Sequence, residues 1–107
     1  MINDYIQVFT TVEKRRDADR MASVVVNQRV AACAQVVGPM RSTYWWKGKV
    51  EEAGEWLLMM KTRQDLFPSL EKEIRAVHPY EVPEIIALPI VAGSASYLQW
   101  IGAETKK

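Results

Sequence analysis

The sequence predicts an α+β fold in which one antiparallel sheet is flanked by helices. Two observations carry this. Short β-branched and aromatic runs alternate with helix-period segments in the order β-α-β-β-α-β, and a further helical segment closes the chain. A 107-residue chain with 49% hydrophobic and 25% charged residues also has the composition of one ordinary globular domain, spanning 1–107.

The first strand is "YIQVFTT" (5–11). In the helix that follows, "EKRRDADRMASVVVNQR" (13–29), Ala18, Met21, Ala22 and Val25 recur at helical spacing with charge opposite them. The segment 30–50 reads as a long strand bent at Gly38-Pro39, with a turn near Lys47-Gly48-Lys49. The third strand is "EWLLMMKTR" (55–63). In the second helix (65–78), Asp65 is the expected N-cap, Pro68 lies in the first turn, and Leu66, Leu70, Ile74 and Val77 form the apolar stripe. Pro79 disfavours helical backbone at His78, so the helix ends there. The fourth strand covers 84–93, and Pro89 within it points to an edge or a bulge. Ser94 caps the closing helix, 94–106.

This element order is the ferredoxin-like split βαβ pattern, which places its helices on one sheet face. Yet the third strand is apolar on both sides, with Leu57 and Met59 opposite Trp56, Leu58 and Met60. The fourth is similar, with Ile85 and Ala87 opposite Ile86, Leu88 and Ile90. Two apolar faces and one helical layer imply a homo-oligomer.

Composition excludes several functions. Net charge is +1, from 14 basic and 13 acidic residues, which argues against nucleic-acid or polybasic membrane binding. One cysteine, Cys33, allows no internal disulfide and no cysteine-cluster metal site. No apolar run approaches membrane-spanning length, and charges at Asp4, Glu13, Lys14 and Arg15 interrupt any secretory leader, so the expected compartment is the cytoplasm. The five glycines are too scattered for a dinucleotide or phosphate loop. Cys33 in "VAACAQVV" reads as a small buried thiol rather than a nucleophile, and no second catalytic group accompanies His78, so no enzyme is expected.

The richest stretch is "VHPYEVPEI" (77–85), which holds the only histidine. His78 with Glu81 and Glu84 is the candidate metal site, although tight transition-metal sites use about three or four protein ligands. A plainer reading makes His78 a capping group at the helix C-terminus. Pro79 and Pro83 stiffen the connection and set where the fourth strand begins. Glu81 and Glu84 are candidates to pair with Lys61 or Arg63, and Tyr80 to hydrogen-bond across an interface. The aromatic run Tyr44-Trp45-Trp46 beside Lys47 and Lys49 invites comparison with base-stacking surfaces. "GEWLLMMK" lacks the basic-glycine-aromatic run such domains carry, so an intersubunit contact is the simpler reading.

In their order and spacing, "FTT" (9–11), "RVAACAQVV" (29–37), "STYWWKGKVEE" (42–52), "LMMKT" (58–62), "HPYEVPEI" (78–85) and "SYLQWI" (96–101) resemble the CutA family of divalent-cation tolerance proteins along nearly the whole chain. The resemblance implies a homotrimer similar in architecture to PII signalling proteins, a part in tolerance of copper and other divalent metals, and no established reaction. His78 falls on the family histidine. Where some members carry a second histidine and a first-strand cysteine, both considered as copper ligands, this chain has Val77 and Phe9. The alternative implied by the PII likeness is a signalling or scaffold trimer. Its intersubunit cleft, lined by Lys61, Tyr80, Glu81, Trp46 and Trp100, would take a small anionic ligand or a partner protein.

Overall fold

A computed structural model describes residues 4–106. Its elements are β1 (Tyr5–Val12), α1 (Arg15–Asn27), β2 (Cys33–Trp46), β3 (Lys49–Arg63), a 3-10 turn (Gln64–Leu66), α2 (Phe67–Val77), β4 (Ile86–Pro89) and α3 (Ala95–Glu104). The strands form one antiparallel sheet in the order β2-β3-β1-β4. The ferredoxin-like fold expected from the sequence is therefore present.

Alternation along β1 and β3 sorts the sheet into two faces. Ile6 and Val8, with Leu58 and Met60, point to one side and are buried beneath α1 and α2. Ala18, Met21 and Val25 complete this core from α1, and Leu70 and Ile74 from α2. Cross-strand rows such as Val8–Met60–Ala34 keep the register, because a one-residue slip would turn every apolar side chain to the wrong face. The other face carries the rows Ile86–Phe9–Met59–Gln35 and Thr11–Leu57–Val37.

Several expectations need correction. Asp65 does not cap α2. It lies in the 3-10 turn and chelates the Arg63 guanidinium at 2.9 and 3.0 Å, while Leu66 occupies the cap position without a side-chain bond. That pair holds the Asp65 carboxyl below its ordinary range through the Arg63 hydrogen bond. β3 starts at Lys49 rather than residue 55, because the polar arms of the hairpin pair continuously from Trp46↔Lys49 to Met40↔Glu55. β4 is only four residues long and α1 is two residues shorter at each end than expected. The helices also do not keep to one face. α3 lies against the second face, with Gly102 under the Tyr5 hydroxyl and Tyr97 beside Cys33.

Other readings hold. Pro89 lies in an edge strand, Ser94 Oγ accepts from Tyr97 N, and the backbone turns extended at His78 (φ −78°, ψ 132°), before Pro79. The bend in β2 is a register shift between Val37 and Met40. Gly38 is needed there for space, since a Cβ would stand 2.7 Å from Trp56 Cε3.

Candidate functional site

The hairpin, the end of β1 and the segment after α2 enclose a groove of about 800 Å³. Its walls include Tyr44, Trp45 and Trp46 of β2, Glu55 of β3, Thr11 of β1, and Tyr80, Glu81 and Glu84 of the connecting segment. No lysine, arginine or histidine is among the lining residues.

His78 builds this corner rather than lining it. β4 pairs with β1 only from Ile6 to Phe9, so Thr11 lies beyond its reach. The His78 ring takes that place, with Nε2 2.9 Å from the Thr11 carbonyl oxygen. Nδ1 accepts the Tyr80 backbone N–H at 3.1 Å. A carbonyl can only accept, so Nε2 carries the proton and the ring is neutral. Burial lowers the His78 pKa below its ordinary value, against weaker upward pulls from the Thr11 hydrogen bond and from Asp17 and Glu55. In this arrangement neither ring nitrogen faces a metal, and the expected ligand set is divided: Glu81 and Glu84 line the groove and His78 stands behind it.

With its backbone held by His78, Tyr80 points its hydroxyl at Glu55, donating to Oε2 at 2.6 Å. The Tyr80 ring lies tilted against His78, centroids 4.8 Å apart. Burial, then the Glu55 hydrogen bond, pushes the phenol well above its ordinary value. Glu55 is 7% exposed and absent from every ion pair among the described residues. Periodicity does not single it out, because "VEEAGE" shows none. The signal was its parity: Glu55 shares a strand face with Leu57 and Met59.

The remaining cleft candidates lie elsewhere in the chain. Lys61 is six residues along β3 from Glu55, where Nζ donates to Gln35 Oε1 at 2.6 Å and stands 3.9 Å from Cys33 Sγ. Cys33 is thus half-buried rather than a closed core thiol. Trp100 stacks on Tyr97 in α3, centroids 5.4 Å apart. Within one chain, Trp46, Tyr80 and Glu81 come together and Lys61 and Trp100 do not. Neither Lys61 nor Arg63 pairs with Glu81 or Glu84 as anticipated. Arg63 is committed to Asp65, Thr105 Oγ1 and the Lys106 carbonyl.

One antiparallel sheet in this strand order, a long aromatic hairpin and the His78-Tyr80 corner define a ferredoxin-like α+β protein of a particular kind. The model of the CutA1 divalent ion tolerance protein family matches residues 6–104, and the chain belongs to that family. Protein CutA of Homo sapiens is 45% identical over 92% of this chain, and the chloroplastic Protein CutA 1 of Oryza sativa 40% over 95%. The chain spans 55% and 58% of those two proteins, a little over half of each. The divalent-cation tolerance protein CutA of Thermus thermophilus is 43% identical over 92% of this chain and 95% of its own length. Among solved structures, CutA1 from Oryza sativa superimposes with a TM-score of 0.94 at 39% identity, covering 97% of this chain and 95% of that one. The Thermus thermophilus structure gives 0.93 at 41% identity, covering 95% and 99%.

Proposed function

We propose that this chain works as a homotrimer in the tolerance of divalent metal ions, without an enzymatic reaction. The metal role follows the description of the matched family and the names of its bacterial relatives. One geometric observation carries the assembly. On the sheet face away from α1 and α2, Ile86, Leu88 and Val37 are each 47–48% exposed beside half-buried Phe9, Leu57 and Met59. A continuous apolar surface of this kind is stabilised by packing on another copy.

Glu81 and Glu84 are the groups we assign to weak contact with the cation, copper or zinc. Both are exposed carboxylates in the groove. Two oxygen ligands give low affinity, since tight sites use more. His78 would join them only by releasing the Thr11 carbonyl or the Tyr80 amide. The anion-binding alternative is not favoured, because the matched family and its relatives are described by divalent-cation tolerance. Among the described residues no helix is long and apolar enough to cross a membrane. We propose the cytoplasm as the compartment, noting that relatives are described as chloroplastic in Oryza sativa and periplasmic in Archaeoglobus fulgidus.

Light scattering of the purified chain tests the assembly, and a monomer at micromolar concentration would refute it. Copper and zinc calorimetry on wild type and on the double variant Glu81→Gln/Glu84→Gln tests the contact. Equal heats would remove both carboxylates from the account.

A further inference from the structure

The segment between α2 and β4 is held to the rest of the chain by two bonds that share one residue. Residues 79–84 belong to no helix or strand, and among the described residues none of them makes a backbone–backbone hydrogen bond. Pro79 and Pro83 have no amide to offer. The ties are the Tyr80 amide on His78 Nδ1 at 3.1 Å and the Tyr80 hydroxyl on Glu55 Oε2 at 2.6 Å. Both run through Tyr80, and the first uses an acceptor that exists only while the imidazole is neutral.

We propose that His78, Tyr80 and Glu55 form an acid-released latch: a proton taken up at His78 Nδ1 turns out the Tyr80 amide, draws the Tyr80 hydroxyl off Glu55 and frees residues 79–84, opening one wall of the groove. The order of events follows from donor and acceptor chemistry. With both ring nitrogens protonated, Nε2 still donates to the Thr11 carbonyl, now through a stronger, charge-assisted bond. Nδ1 then presents an N–H to the Tyr80 N–H, and two donors 3.1 Å apart repel. The ring is therefore kept and the amide gives way. Charge around the ring decides where this happens. Burial opposes the imidazolium most strongly, while the Thr11 carbonyl of β1, Asp17 of α1 and Glu55 of β3 favour it. On α2 itself Arg75 is paired with Glu71, and the Tyr80 phenol, its ring centre 4.8 Å from that of His78, stays neutral throughout this range. The balance lies below the ordinary histidine value, so the latch is closed at neutral pH and opens as pH falls below 6.5. Pro79, Tyr80, Glu81, Val82 and Glu84 all line the groove, so release of the segment changes its shape. No metal enters this account, and neither Glu81 nor Glu84 is among the partners of the ring.

NMR of the assembled protein as purified, in metal-free buffer containing a chelator, tests the latch. Exchange of the Tyr80 amide, corrected for the intrinsic effect of pH, should be about tenfold faster at about pH 5 than at about pH 7, while core amides of β1 and β3 keep their protection. The chain has one histidine, so its ring protons report a single midpoint. The Tyr80 amide and ring resonances should move with that same midpoint. His78→Asn, whose side chain does not titrate, should remove the pH dependence of Tyr80. Unchanged Tyr80 exchange across this range, equal loosening of the core amides, or the same pH dependence in His78→Asn would each overturn the proposal. Should His78→Asn fail to fold by circular dichroism, the wild-type midpoints decide, and a Tyr80 midpoint that departs from that of the His78 ring refutes it. Because metal is excluded throughout, failure of the metal proposal leaves this result standing, and the reverse is also true.

Discussion

The Tyr80 hydroxyl donates to Glu55 Oε2 at 2.6 Å, fastening the segment after α2 to β3 at the residue opposite the end of the β2 bulge. Tyr80→Phe deletes that donor while keeping the ring. It should lower stability by about 1–2 kcal/mol, because it leaves a largely buried carboxylate short of a partner. Urea unfolding at neutral pH measures the loss. The raised phenol pKa gives a second check. The stabilisation from neutral Tyr80 is complete below pH 10, its ordinary pKa, and disappears as pH rises beyond it. An ultraviolet titration should show a late phenolate component that Tyr80→Phe removes.

His78 gives the opposite sign at acid pH. Its folded pKa is depressed, chiefly by burial, so the unfolded chain binds the proton more readily. Its contribution is present above pH 6.5, the ordinary histidine value, and declines as pH falls through that value toward the folded pKa. Protonation also removes the Nδ1 acceptor used by the Tyr80 amide. Proton NMR of the ring should report a midpoint below 6.5. Acid destabilisation between pH 7 and 5 should be smaller in His78→Asn, and equal slopes would sink this account.

Gly38→Ala tests the crowding at the bend of β2. The added methyl would stand 2.7 Å from Trp56 Cε3 and 3.3 Å from the Glu55 carbonyl, so the indole must move. Overpacking of this kind costs about 1–3 kcal/mol. The thermal midpoint should fall, and Trp56 fluorescence should shift because the indole has moved.

Ile86→Lys places a charge on the apolar face of β4 without touching the core beneath α1 and α2. The expected outcome is a smaller particle by sedimentation with the secondary structure of each chain retained. An unchanged mass would show that this face is not where copies meet.

Local rules made most of the fold legible. Pro79 stops a helix, Ser94 starts one, and Leu57-Leu58-Met59-Met60 declares a strand apolar on both faces. Their effects act within a few residues, and the structure agrees with each. The site was harder because its contacts are not local. Glu55 and Tyr80 are 25 residues apart and meet only after the sheet forms. Asp65 looked like a cap because cap residues and guanidinium partners are the same residue types; Arg63, two positions earlier, won the competition. Lys61 and Glu81 are not joined within one chain, since Lys61 stands about 20 Å along β3 from Glu55, and a cleft between subunits is a relation that no local rule reveals.

The C-terminal end is bound back onto the turn after α1. The Lys106 amide donates to the Arg29 carbonyl, the Arg29 side chain reaches Glu104, and Arg63 holds the Lys106 carbonyl. Arg63 and Glu55 stand at opposite ends of the same run of β3, eight residues and about 26 Å apart. A biotin or dye attached to the Lys106 side chain would therefore sit at the far end of the chain from the aromatic groove. Chains tethered to a sensor surface by that end would present the groove outward, and the label would not report on its occupancy.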